Sequence, residues 1–222
     1  MTDTIAISTP LARRLAAIIA IVATAAIIIQ LGLNFARAAE KGTPLWMAPV
    51  DLYGFFTIWS NTLVALITAR FARGGDTKGL LGRPWLLAAG VVYIVVVGVI
   101  YNALLAPFNV QTGVRKAIDV TFHTLIPIAY PLWWLTQIPR RQLEWNALLP
   151  ALIFPMAYSA VAMTKGAVTG KYAYFFIDIG KYGVGQVLLN SVGLAALYAV
   201  LMAVVIAFDR RAGATAAMGP AE

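Results

Sequence analysis

The chain has no cysteine and a single histidine among its 222 residues. The first absence excludes disulfides, thiolate metal sites and cysteine nucleophiles. The second, with no His-x-x-x-His pair and no glutamate-rich helix, leaves too few ligands for a protein-held metal, so neither a metal nor a cofactor is expected. Charge is scarce as well: 12% of residues are Asp, Glu, Lys or Arg against 61% hydrophobic, and the mean hydropathy is +0.80. An average soluble domain looks quite different. The connecting segments are too short for a second domain, which leaves one domain over 1–222.

What fills the chain is a series of uncharged runs. No charged side chain occurs between Arg14 and Arg37, Asp51 and Arg70, Arg83 and Arg115, Asp119 and Arg140, Glu144 and Lys165, or Lys181 and Asp209. A hydrocarbon core of about 30 Å needs roughly 20 apolar residues at about 1.5 Å each, so every run fits one helix. The expected fold is an all-α integral membrane protein with six transmembrane helices in one bundle, at about 13–36, 51–72, 84–105, 119–138, 145–164 and 182–208. Arg13 and Arg14 before an apolar run, then Ala36-Arg37-Ala38-Ala39, faintly resemble a secretory signal. The run between them exceeds the usual signal core of about 7–15 residues, which suits a retained first span.

The formal net charge of +8 does not point to nucleic acid, because the basic residues stand in ones and twos at helix ends and form no basic face. They report orientation instead. Arg13, Arg14, Arg70, Arg73, Lys78, Arg83, Arg140, Arg141, Arg210 and Arg211 share one side, and Arg37, Lys41, Arg115, Lys116, Lys165, Lys171 and Lys181 the other. The more basic side faces the cytoplasm, so both termini are expected there, in a multi-pass protein of the cell membrane. The turn from Gly74 to Gly79 belongs to that side, and the tail after Ala212 is small and polar enough to fray. Trp46, Trp85, Trp133, Trp134 and Trp145 near helix ends are expected to form interfacial belts.

Two of the runs carry polar residues near the outer end. Thr57 follows Asp51 by about 9 Å of helical rise and His123 follows Asp119 by about 6 Å, which sets them at similar depth. Thr57, Ser60 and Asn61 share one face at i, i+3 and i+4. The bland alternative is that Thr57 bonds back to the Tyr53 carbonyl while Asn61 joins two helices. For His123 the alternative is a neutral imidazole bonded between helices, although ionisable residues inside a span are costly and more often functional. Asp119 lies one turn before His123 and can orient it, and Pro127 removes the amide that would bond the His123 carbonyl, kinking the helix there. Asn102, Asn190 and Ser191 are expected to stitch helices.

The segments Phe55-Phe56-Thr57-Ile58-Trp59-Ser60-Asn61, Phe122-His123-Thr124-Leu125-Ile126-Pro127 and Tyr172-Ala173-Tyr174-Phe175-Phe176-Ile177-Asp178 resemble the androgen-induced protein family and its bacterial relatives. Eukaryotic members of that family are six-span proteins that hydrolyse fatty-acid esters of hydroxy fatty acids with a membrane-embedded Thr and His. The resemblance implies that Thr57 matches the nucleophile, His123 its partner and Asp178 an acidic position. Phe175 departs from the family's Tyr-Pro-Phe pattern.

The expected function is therefore hydrolysis of a membrane lipid or fatty-acid ester by Thr57 and His123, with Asp119 or Asp178 holding the imidazole. Asn61, Lys165 or Lys171 is the expected oxyanion donor, and Ser60 the next candidate nucleophile. The alternatives are a small-molecule or lipid transporter, or binding protein, whose polar residues line a pocket, and a structural subunit in which they specify packing.

Overall fold

The computed structural model describes residues 9–75 and 79–217, with side chains to 212. Lys78 of the turn expected on the cytoplasmic side, with Asp76 and Thr77, and the last residues of the tail lie outside the described residues. Within them the regular structure is entirely helical. Its elements are α1 (Pro10–Glu40), α2 (Met47–Leu52), α3 (Phe56–Ala72), α4 (Pro84–Ile100), α5 (Gly113–Val120), α6 (Ile126–Gln137), α7 (Leu148–Thr169) and α8 (Ile179–Ala217). A π-turn, Tyr101–Leu105, extends α4, and a second, Thr121–Leu125, joins α5 to α6.

Among the described residues four helices are long and apolar enough to cross a membrane: Pro10–Glu40, Pro84–Phe108, Trp145–Thr169 and Ile179–Ala212. The first, third and fourth bury only 28%, 28% and 17% of their most apolar window inside the protein, whereas the second buries 72%. Apolar surface left uncovered on this scale is what lipid covers and water does not. The Pro84–Phe108 helix is thus the central post, packed by α3, α6, α7 and α8. Thr57 and His123 belong to two further helical segments outside that set of four, α3 and the α5–α6 rod.

Each element has a local cause. Thr9 caps α1 by accepting from the Ala12 amide at 3.2 Å, and Pro10 supplies a helical φ at the first position. Buried Ala12, Ala16, Ala20, Ala23 and Ala26 form a small-residue stripe on α1, which lets α3 pack closely along it. Gly90 and Gly98 do the same for α4, where an added Cβ would meet Tyr130 and Pro127 respectively.

At one end of the bundle, Asp209 near the end of α8 accepts from the Gln142 and Leu143 amides at 2.8 and 3.0 Å and faces Arg140 at 3.7 Å. Burial lowers the Arg140 guanidinium from its ordinary range, and the Asp209 charge works against that shift. Arg13 donates to the Ala72 carbonyl at the same end, since Trp133 reaches Ala12 there. Lys165 and Asp51 pair at 3.2 Å at the opposite end of the bundle.

Several boundaries differ from those expected. The second run is not one helix from 51: it breaks at Tyr53–Phe55 between α2 and α3. The fourth begins at Gly113, well before 119, because Thr112 is extended and Gly113 adopts a left-handed φ of 56° at the entry. The fifth continues past Lys165 to Thr169, where Gly170 ends it at φ 70°, a left-handed conformation that suits glycine. The last starts at Ile179 and breaks at Gly183. Trp133 and Trp134 are buried in the core and do not join an interfacial belt, whereas Trp46 and Trp145 are exposed.

Candidate active site

The break before α3 decides what Thr57 can do. Tyr53 is outside the helix, and its carbonyl accepts from the Trp59 indole at 2.7 Å. Gly54 permits the turn: an added Cβ would meet Lys165 Nζ and the Asp51 carbonyl, and the Gly54 carbonyl accepts from Tyr158. Thr57 therefore sits in the first turn of α3, with no helical carbonyl one turn behind it to accept its hydroxyl. Its Oγ1 lies 3.3 Å from His123 Nε2.

His123 is placed by the π-turn. Pro127 lacks an amide, so the His123 carbonyl has no partner one turn ahead and needs one elsewhere. Asn102 Nδ2 supplies it at 2.9 Å, while also donating to the Gly98 carbonyl at 2.9 Å. The same proline offset recurs after α4, where Pro107 follows the π-turn Tyr101–Leu105 as Pro127 follows Thr121–Leu125. Such turns frequently occur at functional sites. Here the two widened turns meet, with the Tyr101 ring stacked on the imidazole at a centroid distance of 3.5 Å and 9° between planes.

The protonation pattern follows from the partners. His123 Nδ1 faces the Asp119 carboxylate at 3.1 Å and the Asp119 carbonyl at 3.0 Å. Both are acceptors, so Nδ1 carries the proton, and in the neutral ring Nε2 is left to accept from the Thr57 hydroxyl. Asp119 also accepts from the Tyr101 hydroxyl, and Lys116 Nζ lies 3.8 Å from its second oxygen. The carboxylate is 9% exposed and the imidazole 13%, so their pairing is little screened by solvent.

Asn61 is fully buried and ties α3 to the π-turn. Its Nδ2 donates to the Thr57 carbonyl at 2.8 Å, with a weaker approach of 3.5 Å to the Phe122 carbonyl. Its Oδ1 and the Ser60 hydroxyl are buried without a hydrogen-bond partner among the described residues.

The structure brings Thr57, His123, Asp119 and Asn61 together, whereas the Lys171 amide bonds to the Thr169 hydroxyl at 3.2 Å at the end of α7. Asp178 does not hold the imidazole, both of whose nitrogens are already engaged; its Oδ1 accepts from the Lys181 amide at 3.1 Å at the start of α8. Lys165 is committed to Asp51 and the Val50 carbonyl, each at 3.2 Å. Ser60 makes no hydrogen bond to Thr57 or His123. Asn190 joins α8 to the Phe176 carbonyl at 2.8 Å, whereas Ser191 bonds back within α8 to Val187.

Two residues next to the site were not among those expected to serve it. Tyr174, from the connection between α7 and α8, accepts from the Phe56 amide at 3.2 Å, and burial raises its phenol above the ordinary tyrosine range. Tyr101 is the second; its only signal is the shared proline offset. Among the described residues no three His, Asp or Glu side chains gather to hold a metal ion.

Comparison with family models, with curated proteins and with solved structures found no match for this chain.

Proposed function

We propose that this chain is a membrane-embedded hydrolase that cleaves a lipid or fatty-acid ester through a threonine nucleophile. The observation that carries the reading is the run of contacts from Asp119 through the imidazole of His123 to Thr57, with the proton on the nitrogen facing the acid. In the first step His123 Nε2 removes the proton of Thr57 as Oγ1 attacks the ester carbonyl. The imidazolium then returns that proton to the leaving alcohol. Water, deprotonated by the same nitrogen, hydrolyses the acyl-threonine and restores the hydroxyl. Asp119 keeps Nδ1 protonated and offsets the charge of the imidazolium.

The oxyanion would bind at the first amides of α3. These are donors that a helix leaves unpaired, and the Phe56 amide now rests on the neutral Tyr174 hydroxyl, which an anion would displace. The nearly uncharged, outward apolar faces of α1, α7 and α8 support a seat in lipid and an apolar substrate. The uncharged runs support six spans, and the distribution of lysine and arginine supports both termini in the cytoplasm. The resemblance to the androgen-induced protein family, at Thr57 and His123, supports the same chemistry.

The test is ester turnover by the purified full-length chain in micelles, with a p-nitrophenyl ester of a long-chain fatty acid as probe. Release of p-nitrophenol that Thr57→Ala eliminates would sustain the reading. Release equal in wild type and Thr57→Ala would refute it, and none in either would favour a binding or transport protein.

A further inference from the structure

His123 is oriented by more than Asp119. Beyond Asp119, three polar side chains from one short stretch continue the line away from the imidazole. Gln111 Nε2 donates to Asn109 Oδ1 at 2.5 Å, Asn109 Nδ2 donates to the Tyr101 oxygen at 2.8 Å, and the Tyr101 hydroxyl donates to Asp119. Each donor fixes the direction of the next. Because Asn109 occupies the Tyr101 oxygen as an acceptor, the phenol hydrogen is left to point at the carboxylate. Asp119 Oδ1 then receives two donors, the phenol and the imidazole Nδ1–H, which is an arrangement for an ionised carboxylate.

The ring of Tyr101 does a second thing. It lies flat against the imidazole, so a positive charge formed on His123 would face the electron-rich side of an aromatic ring. Tyr101 opens the π-turn that ends α4, and the next residue, Asn102, holds the His123 carbonyl. One widened turn therefore grips the base by its backbone, its ring face and its acid.

We propose that Tyr101 is a positioning residue for His123: its phenol shares the charge of Asp119 with the imidazole and its ring supports the imidazolium. This rests on the hydrolase reading, because a base is what needs such support, yet its consequence can be measured without any substrate. The charged and titratable groups facing the imidazole are Asp119, Tyr101 and, across Asp119, Lys116. Without the phenol, the whole charge of Asp119 acts on the imidazole and its protonated form is held more firmly.

His123 is the only histidine, so protein grown with 15N-histidine gives a single imidazole signal pair in micelles. The experiment titrates that signal in wild type, Tyr101→Phe and Asn109→Ala. Tyr101→Phe retains the stacked ring, and Asn109→Ala removes the donor to the phenol oxygen, so that the phenol hydrogen is no longer directed to Asp119 alone, which covers the case of a poorly folding Tyr101 variant. The expected result is a titration midpoint moved to higher pH in Tyr101→Phe by roughly half a unit or more, with a smaller shift of the same sign in Asn109→Ala. Midpoints equal to wild type in both variants would overturn the proposal, since a residue that merely packs would leave them in place. Fluorophosphonate labelling of wild type, run alongside, keeps the two claims separate: lack of labelling speaks against hydrolysis, an unmoved midpoint against Tyr101.

Discussion

Thr57 Oγ1 and His123 Nε2 lie 3.3 Å apart across a sequence separation of 66 residues, joined by a helix that begins late and a helix that widens. Had α3 started at Asp51, the Thr57 hydroxyl would have had the Tyr53 carbonyl as a local acceptor. The His123 carbonyl faces Pro127, which has no amide to offer, and beside the widened turn Asn102 takes that carbonyl instead.

Removing either partner should end ester turnover while leaving the protein folded. Thr57→Ala deletes the attacking oxygen, and His123→Ala deletes the base, a loss of about 100-fold or more. Thermal unfolding of both variants in micelles should lie near that of wild type, and turnover measured on the same samples checks the separation of the two effects.

Asn61 offers a sharper distinction between chemistry and scaffold. Asn61→Ala removes the donor that holds the Thr57 carbonyl, at a cost of about 1 kcal/mol. Asn61→Asp is expected to be worse, because it turns an acceptor towards that carbonyl and buries an acid besides. Chemical denaturation in mixed micelles should rank the proteins wild type, Asn61→Ala, Asn61→Asp, from most to least stable.

Gly98 sets the approach of α4 to the His123 turn, where an added side chain would meet Pro127 and the His123 carbonyl. Gly98→Leu should lower stability by about 1–3 kcal/mol and reduce turnover per folded molecule, because it pushes the α5–α6 rod away from α3. Its thermal midpoint and its rate should fall together.

At the far end, Asp209→Ala strips the Gln142 and Leu143 amides of their acceptor and leaves Arg140 without its charge partner. A loss of about 3 kcal/mol or more is expected, with turnover per folded molecule unchanged. Turnover normalised to the folded fraction is the check.

The charge-free runs marked where the helices lie because a charge in lipid is costly, and that signal is carried by single residues such as Arg37 and Arg115. They did not mark where helices begin. Gly113 and Met47 start helices well outside the runs that begin at Asp119 and Asp51, since an amphipathic helix end accepts charges such as Arg115 and Lys116 that a fully apolar run does not. Depth placed Thr57 and His123 where they could meet and the resemblance implied their partnership; the contact itself follows from the packing of α3 against the second π-turn. The place of Tyr101 was not legible, because it follows from a π-turn whose only trace in the sequence is Pro107, two residues beyond it. Asp178 matched a family position in a linear motif, yet the start of α8 claims its carboxylate. A linear motif gives no direction to a side chain.

The absence of cysteine makes the orientation directly measurable. If both termini lie inside, as proposed, a membrane-impermeant maleimide applied to intact cells should label a cysteine placed at exposed Thr169 and not one placed at exposed Leu80. The reverse pattern would turn the site towards the cytoplasm.

The central claim is that Thr57 is an activated nucleophile, and the adduct it forms tests this most directly. A fluorophosphonate should react with the purified chain by forming a bond between Thr57 Oγ1 and phosphorus, with fluoride leaving and the threonine proton passing to His123. Peptide mass spectrometry should find the phosphonyl group on Thr57 in wild type and none in His123→Ala. An adduct on another residue, or one on Thr57 that forms equally fast without His123, would contradict the account.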